Sequence, residues 1–125
     1  MIVARSIEID AAHYLPGYKG KCANLHGHRW KIELAVRGKI GNDGMLVDFG
    51  ILDQPLKLIE DQLDHNCLNN SVSNPTAENL CSYVRDVFID WWLQYGETNR
   101  LLRFALSHIK IWETEDSYAM LEEPE

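Results

Sequence analysis

His26 and His28 stand two residues apart. Side chains at i and i+2 of a strand point to the same face, so both imidazoles can meet one ion if this segment is extended. His13 falls in phase with Val3, Ile7, Ile9 and Ala11, and it brings a third imidazole to the same place if the two strands are neighbours. Three histidines with no fourth protein ligand is the arrangement of a catalytic zinc, which keeps one position for water or substrate. The alternative is a set of ordinary structural histidines, because a lone His-x-His is common. Three of them on apolar phases weigh toward a metal, since a buried imidazole needs polar partners that apolar neighbours do not supply. Gly27, between two of the ligands, is expected to let the backbone come close.

Other residues could move protons. Cys22 lies four residues before His26, next to Lys21. A nearby cation favours the thiolate, which makes a cysteine useful as a base or nucleophile; the alternative is a small packing residue. Cys67 and Cys81 read as packing. In Asp64-His65 the acid could orient the imidazole or stabilise its charged form, or one of the two could face a neighbouring subunit. Glu113 shares the phase of Ile109 and Ile111. A carboxylate there is costly unless it meets an internal Arg or Lys, or a ligand with a planar N–H pair. Thr76 and Glu78 either contact a ligand or serve a helix start, and His108 reads as structural or exposed.

These residues need a scaffold. Period-two alternation predicts strands over 2–13 and 26–40, with Pro16-Gly17-Tyr18-Lys19-Gly20 as a loop between them. After a turn at Gly41-Asn42-Asp43-Gly44, Met45-Leu46-Val47 could extend the sheet. Phe49, Leu52, Leu56, Ile59 and Leu63 have helical spacing, with Asp48 as a cap. Pro55 is expected to break or restart that helix, with Asp53 as a second cap. A second helix is expected from Asn74-Pro75 to about Gly96, with Leu80, Val84, Val87, Trp91 and Tyr95 as its stripe. Strands over 104–114 and 116–121 complete the order ββααββ, an α+β domain with two helices on one side of an antiparallel sheet.

A chain of 125 residues is expected to form one domain, 1–125, with its own core. The net charge of −7 argues against general binding of nucleic acid or anionic membranes. The charge is uneven: Lys19, Lys21, Arg29, Lys31, Arg37 and Lys39 share residues 19–39 with the single acid Glu33. That run is either a solvated strand face or a basic mouth for a phosphorylated substrate. No apolar run is long enough for a transmembrane helix. The first residues do not have the pattern of a secretory signal. Three cysteines in no disulfide pattern point to the reducing cytoplasm.

The ordered segments Asp10-Ala11-Ala12-His13-Tyr14-Leu15, Cys22-Ala23-Asn24-Leu25-His26-Gly27-His28, Gly44-Met45-Leu46-Val47-Asp48-Phe49-Gly50 and Leu63-Asp64-His65 resemble one known family. Leu68-Asn69, Asn74-Pro75-Thr76-Ala77-Glu78-Asn79 and Trp112-Glu113-Thr114 continue the match. It is the 6-pyruvoyltetrahydropterin synthase / 6-carboxytetrahydropterin synthase family. The resemblance runs from about residue 5 to 119. It implies the tunnelling fold, assembled into homo-oligomers with active sites between subunits.

By position, the resemblance makes His13, His26 and His28 the zinc ligands. Cys22, Asp64 and His65 become the proton-moving residues, and Glu113 the anchor of the pterin ring, with Thr76 and Ala77 beside it. The implied substrate is the small molecule 7,8-dihydroneopterin triphosphate, with Lys19, Lys21 or Arg29 as candidates for its phosphates. The three-residue gap between Cys22 and His26 resembles the 6-carboxytetrahydropterin branch of queuosine precursor synthesis. The alternatives are the 6-pyruvoyl branch and a non-enzymatic zinc- or pterin-binding module. Two departures stand out: Asn66 replaces a histidine frequent in the family, and Pro55 is unusual in the first helix.

Overall fold

The computed structural model of the chain describes residues 1–99 and 103–124. Two long strands come first, β1 (Ile2–His13) and β2 (His26–Gly38). They pair antiparallel from Ile2 opposite Arg37 to His13 opposite His26. The two-residue period decides which face is covered: Ile9, Ala11, Trp30, Ile32 and Leu34 are buried, while Glu8, Asp10 and Arg29 are exposed.

Two helices follow, α1 (Phe49–Leu63) and α2 (Ala77–Asn99), then β3 (Phe104–Thr114) and β4 (Ser117–Glu122). The sheet order is β1-β2-β3-β4, antiparallel throughout, which gives the expected ββααββ architecture. The core lies between the covered face of the sheet and the apolar stripes of both helices, where Leu52, Leu56, Ile59, Leu80, Val84 and Phe88 meet Ile32, Leu34, Ile109 and Ile111. Among the described residues, no helix is long and apolar enough to cross a membrane.

Several boundaries differ from expectation. Met45-Leu46-Val47 is a loop rather than a strand: the Met45 carbonyl accepts from Gly41 N–H, which closes the turn, and Leu46 plugs into the core. Asp48 caps α1 by accepting from Gly50 N–H at 2.8 Å. Pro55 does not break the helix, which runs through it. An interior proline costs about 3 kcal/mol. Burying a large apolar side chain contributes roughly 1.5–3 kcal/mol. Leu52, Leu56, Ile59 and Leu63 are all buried on the same face as the proline ring, so packing wins. Asp53 is not a cap; it pairs with Arg5 of β1 at 3.0 Å.

The start of α2 lies two residues beyond Pro75. Thr76 is the cap, with its hydroxyl accepting from Asn79 N–H and its carbonyl from Leu80 N–H. Gly96 does not end α2, which continues to Asn99. Its buried stripe includes Cys81 and Phe88, whereas Val87 and Tyr95 are only partly covered.

Candidate active site

The pairing of β1 with β2 sets His13 opposite His26 and Ala11 opposite His28, so the first hairpin alone gathers three imidazoles. Trp30 forms the floor, its ring edge-on to His13 and His28 and its indole N–H donating to the Ala11 carbonyl. His13 is almost wholly buried, at 1% exposure. Gly27 is not there for close approach, contrary to expectation. An added Cβ would first meet the Ala11 carbonyl oxygen at 3.8 Å, an ordinary contact.

The hydrogen bonds orient two of the rings. His13 Nδ1 lies 2.8 Å from the Pro75 carbonyl, and His26 Nδ1 lies 2.7 Å from the Asn24 carbonyl. A carbonyl only accepts, so each Nδ1 carries a proton, and a neutral ring then turns a bare Nε2 toward the cluster. Those two Nε2 atoms are 3.1 Å apart. Two lone pairs facing each other at that distance call for a shared cation. His28 Nε2 is buried and has no hydrogen-bond partner. Burial lowers the pKa of His28; Glu113 opposes this, while His13 and His26 add to it. A neutral imidazole is the form a metal requires. The donor set fits a zinc-type ion.

The cluster has a fourth member. Glu113 Oε1 lies 3.2 Å from His13 Nε2 and 3.4 Å from His28 Nε2, and the four ligand atoms fall within 4.8 Å of one another. Glu113 was expected near a ligand's N–H pair; here it lies beside the three histidines that were expected to hold the metal. Glu113 meets the histidines rather than an internal Arg or Lys.

Cys22 is not a member of this group. It sits half-buried in a short 3-10 turn, Lys21–Ala23, in the loop that also supplies the Asn24 carbonyl to His26. The loop is held at its base: Leu15 N–H donates to the Cys22 carbonyl, and the Asn69 side chain clamps both backbone groups of Tyr14.

Asp64 and His65 follow α1. Unlike many neighbours in sequence they do bond, His65 Nδ1 to Asp64 Oδ2 at 2.9 Å. The other carboxylate oxygen accepts from Asp10 N–H at 2.9 Å, and His65 N–H donates to the Asp10 carbonyl at 2.7 Å. The Asp10 backbone N–H, followed by His65, holds the Asp64 carboxyl below its ordinary pKa. His65 has φ of 58°, the only non-glycine residue with positive φ among those described. Its ring is 77% exposed. A hollow of about 590 Å³ is lined by Asp10, Ala12, Gly27, His28 and His65, joining the two groups. A hollow of about 630 Å³ between β1 and α1 contains none of the histidines.

The remaining expected residues fall as follows. Thr76 and Ala77 stand at the start of α2, directly after the Pro75 carbonyl that holds His13. Glu78 is an exposed first-turn acid. Arg29 is engaged by Glu8 and Asp10 at 3.1 and 2.9 Å, which offsets its charge, while Lys19 and Lys21 are exposed on the loop. His108 is structural, bridging Ser107 and Glu33. Pattern reading had no means of finding the Pro75 and Asn24 carbonyls or the Asp10 backbone, because backbone groups leave no residue-type signal.

Comparison with known proteins identifies the family. The profile of the family described as 6-pyruvoyl tetrahydropterin synthase matches residues 2–124. A Rickettsia felis protein named 6-carboxy-5,6,7,8-tetrahydropterin synthase is 31% identical, over 91% of this chain and 94% of its own. One of the same name from Haemophilus influenzae is 26% identical over 97% and 98%. The solved structure of Caenorhabditis elegans 6-pyruvoyl tetrahydropterin synthase superposes with a TM-score of 0.78 at 22% identity, covering 99% of this chain and 96% of that one. That likeness identifies the shared tunnelling fold. With the match spanning nearly every residue, this chain is an enzyme of the 6-pyruvoyl tetrahydropterin synthase family.

Proposed function

We propose that the chain is a zinc-dependent lyase, a 6-carboxytetrahydropterin synthase. With one water consumed, it converts 7,8-dihydroneopterin triphosphate to 6-carboxy-5,6,7,8-tetrahydropterin, acetaldehyde and triphosphate, within queuosine (7-deazaguanine) precursor synthesis. The observation that carries this reading is the pair of bare Nε2 atoms of His13 and His26, 3.1 Å apart, with both Nδ1 atoms committed to carbonyls. The names of the Rickettsia felis and Haemophilus influenzae relatives support the carboxy branch, as does the three-residue gap between Cys22 and His26.

A zinc ion held by His13, His26 and His28 supplies a Lewis acid for the oxygens of the substrate side chain. Cys22 takes and returns protons on that side chain. Asp64 fixes the proton of His65 on Nδ1, which leaves Nε2 free to exchange one. Glu113 accepts the 2-amino and N3 hydrogens of the ring as a bidentate acceptor, with Thr76 and Ala77 alongside. Lys19 and Lys21 meet the triphosphate in preference to Arg29, whose acids must first be displaced. Ring and side chain exchange oxidation states, so no redox cofactor is required.

Residues 1–125 act as one domain that assembles with copies of itself. β1 and β4 lie at the two edges of the sheet, and the exposure of the His65 ring supports the reading of a site shared between protomers. The free state of all three cysteines suits the cytoplasm.

The test is anaerobic incubation with 7,8-dihydroneopterin triphosphate and mass spectrometry of the products. The reading predicts 6-carboxytetrahydropterin and acetaldehyde. The family description and the Caenorhabditis elegans neighbour favour a second reading, the 6-pyruvoyl branch, and 6-pyruvoyltetrahydropterin as sole product would establish it instead.

A further inference from the structure

We infer that Asn69 is a positioning residue for the site. Its side-chain amide clamps Tyr14 and, through it, the loop that carries Cys22, so it sets where that thiol stands beside the histidine cluster. This rests on the reading above that Cys22 moves protons on the substrate side chain.

The loop needs such a hold. The β1–β2 pairing stops where His13 meets His26. None of residues 14–25 is buried; Leu15 and Cys22 are half-covered, and neither belongs to the hydrophobic core. Among the described residues, the Asn69 amide makes the only hydrogen bonds that reach 14–25 from beyond the hairpin. Tyr14 N–H donates to Asn69 Oδ1 at 3.1 Å, and Asn69 Nδ2 donates to the Tyr14 carbonyl at 2.9 Å.

The clamp has a firm base and leads to the thiol in short steps. Asn69 rides on the 3-10 turn Leu68–Asn70, whose Leu68 is fully buried. The Cys67 thiol donates to the same Asn69 Oδ1 at 3.6 Å, which fixes the way the amide faces, and Cys67 itself bridges to Ala12 of β1. On the far side, Leu15 N–H donates to the Cys22 carbonyl at 2.9 Å, one residue beyond the clamp. Residues 10, 12 and 14 present the outer edge of β1, and residues 64–69 cover all three. Asp64 accepts from Asp10 N–H, the Asn66 carbonyl accepts from Ala12 N–H, and Asn69 closes the row at Tyr14. Only asparagine closes it with a donor and an acceptor at that reach: ionised aspartate lacks the donor, leucine lacks both, and glutamine is one methylene longer. A reacting group displaced by about 1 Å can lose about 10²-fold in rate, so a slack loop is expected to show in turnover.

The experiment uses the whole zinc-loaded chain with 7,8-dihydroneopterin triphosphate as substrate. Asn69→Leu and Asn69→Ala are expected to keep their metal, and their KM within about threefold, while kcat falls at least about tenfold. Initial rates of iodoacetamide labelling, mapped by peptide mass, are expected to rise at least about threefold at Cys22, as the loop loosens, and to stay unchanged at the buried Cys81. A structural role alone would lower Tm and move neither quantity. A kcat and a Cys22 labelling rate both within about twofold of wild type in the two variants overturn the inference, whatever happens to Tm. Should both variants fail to fold, Asn69→Asp, which keeps the acceptor and loses the donor, decides by the same two criteria. A wild type without turnover overturns the reading above, and the labelling rates then decide the placement of Cys22 by themselves.

Discussion

His13 and His26 face each other across the β1–β2 pair with their Nε2 atoms 3.1 Å apart, and each has its other ring nitrogen tied to a backbone carbonyl. As neutral imidazoles, neither ring can offer a proton to the other without giving up a carbonyl bond. A cation between them satisfies both lone pairs, so metal binding and the stability of this hairpin are linked.

Metal removal is therefore expected to destabilise the protein. Zinc at 100 times its dissociation constant stabilises a folded state by about 2.7 kcal/mol. For a chain of this size that is on the order of 10 °C in Tm. A thermal melt with and without chelator measures it, alongside metal analysis of the wild type and His26→Ala. The variant is expected to lose the ion; a chelator-insensitive Tm together with metal-free wild type would sink the proposal.

Cys22→Ala is expected to keep its metal and lose roughly 10²–10⁴-fold in turnover, the usual contribution of a positioned proton-transfer group. Full activity would remove Cys22 from the mechanism. Labelling separates the three thiols beforehand. Burial pushes the Cys81 thiol up to about 11, so iodoacetamide at pH 8 should modify the partly exposed Cys22 and Cys67 and spare Cys81. Peptide mass mapping reads the result.

Asp64 ties stability to pH. Its folded pKa lies below its unfolded value, because Asp10 N–H and His65 bond the carboxylate. Such a group contributes stability above the ordinary carboxylate pKa and loses it as pH falls through the depressed folded value. Urea denaturation should find Asp64→Asn less stable than wild type at pH 7, with the gap narrowing steadily as the pH is lowered through and below the usual carboxylate range. A gap independent of pH would show that the charge of Asp64 is not what matters.

His65 occupies the position after the α1 C-cap that usually carries glycine, and it does so with φ of 58°. The left-handed conformation costs a residue with a Cβ about 1–2 kcal/mol. His65→Gly should relieve that strain, raising stability by about 1 kcal/mol, while turnover falls. Denaturation and rate measurements on the same variant check both. A destabilised variant would mean that the Asp64 bond outweighs the strain, and an unimpaired rate would mean that the ring moves no essential proton.

The sequence by itself determined what depends on short-range periodicity. A period of two placed His26, His28 and Trp30 on one face and His13 with Ile9 and Ala11, and a period near four marked the buried stripe of α1. The order ββααββ and the Asp48 cap were legible for the same reason. Where local preference met packing, packing prevailed: Pro55 stays inside α1 because its ring and its neighbours are buried together. Contacts between distant segments were decided only by the tertiary structure. Pro75 reaches His13 across 62 residues, Asp10 holds Asp64 across 54, and Glu113 arrives from β3 to complete the cluster. Periodicity fixes the face on which a side chain emerges, while the neighbour it meets there depends on strand register and on backbone groups common to every residue type.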